Sequence, residues 1–133
     1  MNGKPFFDTN ILIYAFSDDP RANKAEMLLR SGGVISVQVL NEFVNVSRYK
    51  TKRTWPEIEQ ALQQFQTLLD PPLPLTAAFN AKAIALARND GFAFYDGLIV
   101  AAAMQAGCEI LYTENMQHGR RVGDLLISNP FLA

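Results

Sequence analysis

Cysteine and histidine are almost missing from this sequence: Cys108 and His118 are the only ones among 133 residues. A single thiol excludes a disulfide framework and a zinc centre built from several thiolates, and a single imidazole excludes a histidine-rich metal site. No glycine-rich loop joins a strand to a helix in the manner of a phosphate cradle, because Gly32-Gly33 precedes a strand-like apolar pair instead. Charge of one sign is not in excess. The 12 Lys and Arg against 13 Asp and Glu leave a net charge of −1, which excludes a polycationic nucleic-acid wrapper and an acidic disordered chain. The longest unbroken apolar run, Leu98 to Met104, falls far short of the ~20 residues that span a bilayer. Asp8 interrupts the one candidate signal-peptide core, so the expected location is cytoplasmic, with no membrane association.

Apolar residues make up 49% of the chain, enough for one hydrophobic core. With no repeat, low-complexity tract or linker, residues 1–133 read as a single domain. Short apolar runs alternate with longer helical ones. Pro5-Phe6-Phe7 reads as a strand ending at Asp8, followed by a helix through Ile11, Leu12 and Tyr14 to Phe16. Asp19 and Pro20 predict the start of a second helix, which Gly32-Gly33 stops. Val34-Ile35 reads as a strand, and Ser36 caps a helix reaching about Tyr49. Thr54-Trp55-Pro56-Glu57 matches a capping box, opening a helix that carries Ile58, Ala61, Leu62 and Phe65. Leu73 to Leu75 reads as a strand, Thr76 to Asn89 as a helix, and Asp96 opens a helix apolar on every side and therefore central. Glu109 to Tyr112 and part of Leu125 to Ser128 read as strands. The pattern predicts an α/β fold with a central short parallel sheet flanked by helices, whose ligand crevice lies beyond the strand C-termini.

Four polar positions fall at that edge. Asp8 ends the first strand and Asp96 starts the apolar helix; each alone is better explained as a helix cap. Glu42 borders the apolar sector formed by Val39, Leu40, Phe43, Val44 and Ser47, with Gln38, Asn41 and Asn45 on the polar side. A boundary glutamate reaching for water is the ordinary explanation. Thr113-Glu114-Asn115 follows the strand that ends at Tyr112. In one crevice such carboxylates repel each other and resist desolvation, and a hard divalent cation with oxygen ligands, Mg²⁺ or Mn²⁺, relieves both penalties.

Phe7-Asp8-Thr9-Asn10-Ile11-Leu12, Ser36-Val37-Gln38-Val39-Leu40-Asn41-Glu42-Phe43, Tyr95-Asp96-Gly97-Leu98-Ile99-Val100-Ala101-Ala102-Ala103 and Leu111-Tyr112-Thr113-Glu114-Asn115 resemble the successive signatures of PIN domains. Within that family the chain is similar to VapC-like toxins of type II toxin–antitoxin pairs. The resemblance covers nearly the whole chain. It implies an endoribonuclease dependent on Mg²⁺ or Mn²⁺, often a homodimer, acting on RNA and inhibited by a cognate antitoxin protein. Asp8, Glu42 and Asp96 match three of the family's metal-site acids, and Asn115 stands where a fourth is usual. Asn10 and Thr113 are expected to orient the ligands. With Asn in place of the fourth acid, the alternative is a catalytically weakened PIN-like module that binds RNA or protein.

Other candidates carry less. Arg48, Lys50, Lys52 and Arg53 form the one dense basic stretch, either a solvated loop or an RNA-tracking edge with Tyr49 available for stacking. Arg120-Arg121 offers a second such edge, His118 reads as a surface residue, and Cys108 as a small buried one. A phosphatase with Asp8 as nucleophile lacks a lysine near a strand end other than Lys4.

Overall fold

Helix starts follow the side chains that satisfy free backbone N–H groups. In the computed structural model, which describes residues 3–132, α1 (Thr9–Ala15) begins at Asp8, whose carboxylate accepts from the Thr9 N–H. Ser36 caps α3 (Val37–Tyr49), and Thr76 caps α5 (Ala77–Asp90). The expected capping box forms at α4 (Trp55–Leu68), where Thr54 and Glu57 satisfy each other's backbone N–H groups. Such caps each contribute about 1 kcal/mol.

Two expected starts move. The second helix, α2 (Ala22–Arg30), has Arg21 as its cap position, not Asp19. The Asp19 carboxylate instead accepts from the Arg21 N–H at 2.8 Å, closing a turn just ahead of the helix. The apolar helix α6 (Phe94–Gln105) starts after Ala93, which places Asp96 inside its first turn instead of at its opening. Residues Gly97 to Ala103 of α6 are buried as a block, as an all-round apolar helix requires.

The sheet has four strands in the order β1-β2-β4-β3, comprising β1 (Phe6–Phe7), β2 (Ile110–Tyr112), β3 (Arg121–Val122) and β4 (Leu125–Ser128). β1, β2 and β4 are parallel, as expected, with Phe7 opposite Tyr112 and Tyr112 opposite Ser128. β3 pairs antiparallel with β4, so the sheet is mixed. Arg121 and Val122 sit in a tight return through Gly123, which has φ +59°. A two-residue edge strand of one charged and one apolar residue is too short to carry a periodic signal. The strands expected at Val34-Ile35 and Leu73 to Leu75 reduce to single bridges, Phe6 to Val34 and Ser36 to Leu73. They extend the sheet beyond β1 without forming ladders.

One core joins these layers: Phe6, Phe7, Ile11, Leu29, Phe43, Ile99, Leu111 and Ile127 are all almost inaccessible to solvent. Phe43 of α3 packs edge-on against Phe65 of α4, with ring centres 5.2 Å apart. The packing is closest at two glycines. A Cβ on Gly97 would lie 3.0 Å from the Ala83 carbonyl oxygen, so α6 lies tight on α5 and positions Asp96 beside it. A Cβ on Gly33 would lie 2.4 Å from the Phe7 ring and 2.7 Å from the Pro5 carbonyl oxygen. Gly33→Ala is therefore expected to destabilise the fold by about 1–3 kcal/mol through overpacking, read as a lower urea midpoint; an unchanged midpoint would show that β1 can shift to make room.

Candidate active site

The site begins with a register. Because β1 and β2 are parallel with Phe7 opposite Tyr112, the next residues on each, Asp8 and Thr113, emerge side by side at the strand C-termini. The Asp8 N–H donates to the Tyr112 carbonyl at 3.0 Å, and the Thr113 N–H donates to the Ser128 carbonyl at 3.0 Å. Both side chains are buried, Asp8 being 5% exposed. The Thr113 hydroxyl donates to Asp8 Oδ2 at 2.8 Å, and the Thr9 N–H donates to Asp8 Oδ1 at 2.7 Å. Asp8 is thus both the α1 cap and a carboxylate oriented on both oxygens. The two explanations offered by the sequence are not exclusive.

Asn10 and Thr113, expected to orient ligands, hydrogen-bond to each other beside Asp8. Asn10 Nδ2 donates to the Thr113 hydroxyl at 3.4 Å, while Asn10 Oδ1 accepts from the Glu114 N–H at 3.1 Å. The Asn115 N–H also donates to the Thr113 hydroxyl, at 3.1 Å. The side chain of Asn115 is exposed. Neighbouring Glu114 points elsewhere, to the Arg21 guanidinium at 2.9 Å and to the Tyr14 hydroxyl.

Glu42, from α3, and Asp96, from α6, complete the acidic group. Thr9 Oγ1 lies 3.5 Å from Glu42 Oε2, a long contact. Burial, followed by the charges of Asp8 and Asp96, pushes Glu42 up to about 7. Burial also raises Asp8, against the hydrogen bonds from Thr113 and Thr9 that lower it, and the Asp96 charge adds to the rise. Burial raises Asp96 itself. Glu42 thus feels the charges of Asp8 and Asp96, and Asp8 that of Asp96, as acids near one another do.

Two placements differ from the sequence expectation. Gln38, expected on the polar side of its helix, is buried, and its side chain hydrogen-bonds Glu42, which opposes the rise in Glu42's pKa. The i, i+4 spacing of Gln38 and Glu42 was the available signal. The basic stretch also divides. Arg53 donates to the Phe16 carbonyl at 3.1 Å, stacks over the Phe16 ring at 4.7 Å and pairs with Glu57 at 3.5 Å. Arg48 donates to the Arg53 carbonyl at 3.2 Å and lies over the Trp55 ring at 5.0 Å. Lys50 and Lys52 remain exposed, Lys52 with φ +60°. His118 Nδ1 accepts from the Asn129 N–H on the surface. Cys108 is buried, which pushes its thiol up to about 11. A cavity of about 330 Å³ lies apart from the acids, between α1, α2 and α4, lined by residues such as Phe16, Leu29, Phe65 and Leu68.

The donors suit a hard cation, being carboxylates, hydroxyls and an amide, with no thiolate or imidazole among them. Among the described residues, no three His, Cys, Asp or Glu side chains stand placed to hold a metal ion by themselves. Fewer protein ligands supplemented by water match the habit of Mg²⁺. Asp8, Glu42 and Asp96 supply the carboxylates that would hold it, directly or through coordinated water.

The raised carboxyls make stability depend on pH. Glu42 has an ordinary value of 4.5 and titrates at about 7 in the fold, so the folded chain binds its proton more tightly than the unfolded chain. Its favourable contribution is complete below about pH 4.5 and is lost as pH rises through about 7. In metal-free buffer, Glu42→Gln is expected to be more stable than the parent at about pH 8. Allowing for solvent screening of this half-buried group, the margin is on the order of 1–2 kcal/mol, and it closes toward about pH 4.5. Coincident urea midpoints at the higher pH would show that Glu42 is not desolvated.

The sequence model of the PIN domain matches residues 6–123, a span that includes every residue of the acidic group. None of the curated proteins compared matches the chain. Among solved structures, the chain is similar to the Mycobacterium tuberculosis VapC20, a Sarcin-Ricin loop cleaving toxin. Identity there is 21% with TM-score 0.67, covering 84% of this chain and 89% of that one. It is also similar to VapBC2 from Rickettsia felis, which was bound to a DNA fragment from its promoter (25% identity, TM-score 0.65, covering 94% and 97%). A toxin–antitoxin complex from Klebsiella pneumoniae gives 22% identity and TM-score 0.69 over 96% of this chain and 98% of that one. With the family model running from β1 through the turn after β3, and with the fold matched over most of its length, the chain belongs to the PIN-domain family.

Proposed function

We propose that this chain is an endoribonuclease dependent on Mg²⁺ or Mn²⁺, the toxin of a toxin–antitoxin pair. The observation that carries the reading is the buried, doubly oriented Asp8 carboxylate, within electrostatic reach of Glu42 and Asp96. Three acids gathered at the C-terminal edge of a sheet, against the cost of desolvation and repulsion, have little structural use without a cation. The solved toxin–antitoxin structures support an antitoxin protein as partner; a cytoplasmic location and a homodimer are the rest of the proposed setting.

A bound divalent cation would lower the pKa of a coordinated water and neutralise charge developing on the scissile phosphate. The chain's own residues prepare the site for this. Thr113 and the Thr9 N–H fix both oxygens of Asp8, so its lone pairs need no reorganisation. Glu42, within reach of the charges of Asp8 and Asp96, would hold the cation or accept a hydrogen bond from a water bound to it. Asp96, in the first turn of α6, sits where the helix dipole favours negative charge. Lys50 and Lys52, exposed at the end of α3, are the members of the basic stretch available to RNA phosphates. Arg48 and Arg53 are held by Trp55, Phe16 and Glu57 and contribute by shaping that turn.

The purified protein is expected to cleave single-stranded or loop RNA with Mg²⁺ or Mn²⁺ and to stop in excess EDTA. Asp96→Asn should reduce cleavage by about a hundredfold or more with its circular dichroism unchanged. Undiminished cleavage in EDTA would overturn the metal dependence.

Asn115 favours the second reading, a weakened module that binds RNA or protein, because it brings no charge to the position of a fourth acid. Asn115→Asp is expected to tighten Mn²⁺ binding in a calorimetric titration and to raise the cleavage rate. Equal or weaker binding would make Asn115 a positioning residue acting through its amide. RNA retention without cleavage by the parent protein at saturating Mn²⁺ would select the binding module.

A further inference from the structure

We propose that Arg21 is a positioning residue for the acidic site, acting through Glu114 and Asn10 to hold the Thr113 hydroxyl against Asp8. Arg21 lies ahead of α2, and no motif of the sequence drew attention to it. Its guanidinium is engaged on every side. Nε and Nη2 donate to the two oxygens of Asp19 at 2.8 and 2.9 Å. Nη1 donates to both oxygens of Glu114 at 2.9 and 3.2 Å. The group lies 4.2 Å over the Tyr14 ring, whose hydroxyl also donates to Glu114. An isolated surface ion pair contributes little. Here a planar fork is locked by one carboxylate and an aromatic face, and so presents a fixed donor to the second carboxylate.

Glu114 passes this constraint inward. Its carboxylate is held from outside, and its backbone N–H donates to Asn10 Oδ1 at 3.1 Å. The amide orientation that accepts this bond points Nδ2 at the Thr113 hydroxyl, 3.4 Å away. That hydroxyl receives a second donor, the Asn115 N–H at 3.1 Å. With its acceptor capacity filled, its proton is directed to Asp8 Oδ2 at 2.8 Å. The chain of contacts thus runs unbroken from a partly exposed guanidinium to a buried carboxylate, through links that span 93 and 105 residues in sequence. It also accounts for Glu114: with both oxygens taken by Arg21 and one by Tyr14 as well, it is not free to serve as the fourth acid.

For its kinetic consequence, the proposal rests on the ribonuclease reading of the same site; its structural core does not. The test uses the full chain as the parent and as Arg21→Ala, Glu114→Gln and the double variant. Amide hydrogen exchange by NMR is expected to show the Glu114 and Asn115 amides about tenfold faster in Arg21→Ala, with Val100 and Ala101 in α6 unchanged. In Mn²⁺-supported RNA cleavage, kcat should fall about tenfold with KM unchanged, the size typical of losing a ligand-orienting contact. The double variant should be no worse than Arg21→Ala alone, because both residues act along one path. Unchanged exchange at Glu114, exchange that quickens equally in α6, or losses that multiply in the double variant would each overturn the proposal. A parent that cleaves no RNA would sink the ribonuclease reading, and the exchange pattern would then decide the positioning role alone.

Discussion

The site depends on one hydrogen-bonded register, the parallel pairing of Phe7 with Tyr112. Side chains alternate along a strand, so a slip by one residue would turn Asp8 and Thr113 to different faces. In register, the two meet as carboxylate and hydroxyl at 2.8 Å, and the same step starts α1 from Asp8. Strand pairing, helix capping and ligand orientation are here one arrangement of a few atoms. Its cost is the burial of a carboxylate, which the hydrogen bonds from Thr9 and Thr113 offset only in part, since Asp8 remains raised.

The helices bring the other charges to this point by different means. Glu42 rides on α3, whose apolar residues Val39 and Phe43 are packed into the core, so its place follows from side-chain packing. Asp96 follows from the close approach of α6 to α5 at Gly97 and Ala83, where no Cβ intervenes. The result is a local concentration of negative charge in a chain whose net charge is only −1. RNA affinity in such a protein would come from local cations and bound metal, not from a general field. Cations close in sequence need not serve one purpose. Arg48 and Arg53 bind carbonyls and aromatic faces, because a guanidinium is weakly hydrated and stacks readily, whereas the strongly hydrated ammonium groups of Lys50 and Lys52 stay in solvent.

Much of this was legible in the order of residue types. Caps at Ser36 and Thr54, the all-round apolar helix and the apolar strands are local properties, set by side chains within a few residues of the backbone they satisfy. The acids and Thr113 were legible as well, through their place at element ends and their resemblance to PIN-domain signatures. The sequence by itself thus determined the α/β class, the helix starts marked by Ser or Thr, and the list of acids.

Tertiary structure decided the rest. It made β3 an antiparallel edge, since one charged and one apolar residue beside a glycine are too few to show a periodicity, and reduced two expected strands to single bridges. It buried Gln38 against the core side of α3, where helical spacing alone left it among polar neighbours. It joined Arg21 to Glu114, a pairing between residues distant in sequence, and it gave Glu42 its value of about 7. Each of these depends on groups brought together from separate elements. Burial and Coulomb interactions are functions of distance in space, and the sequence states distance only along the chain.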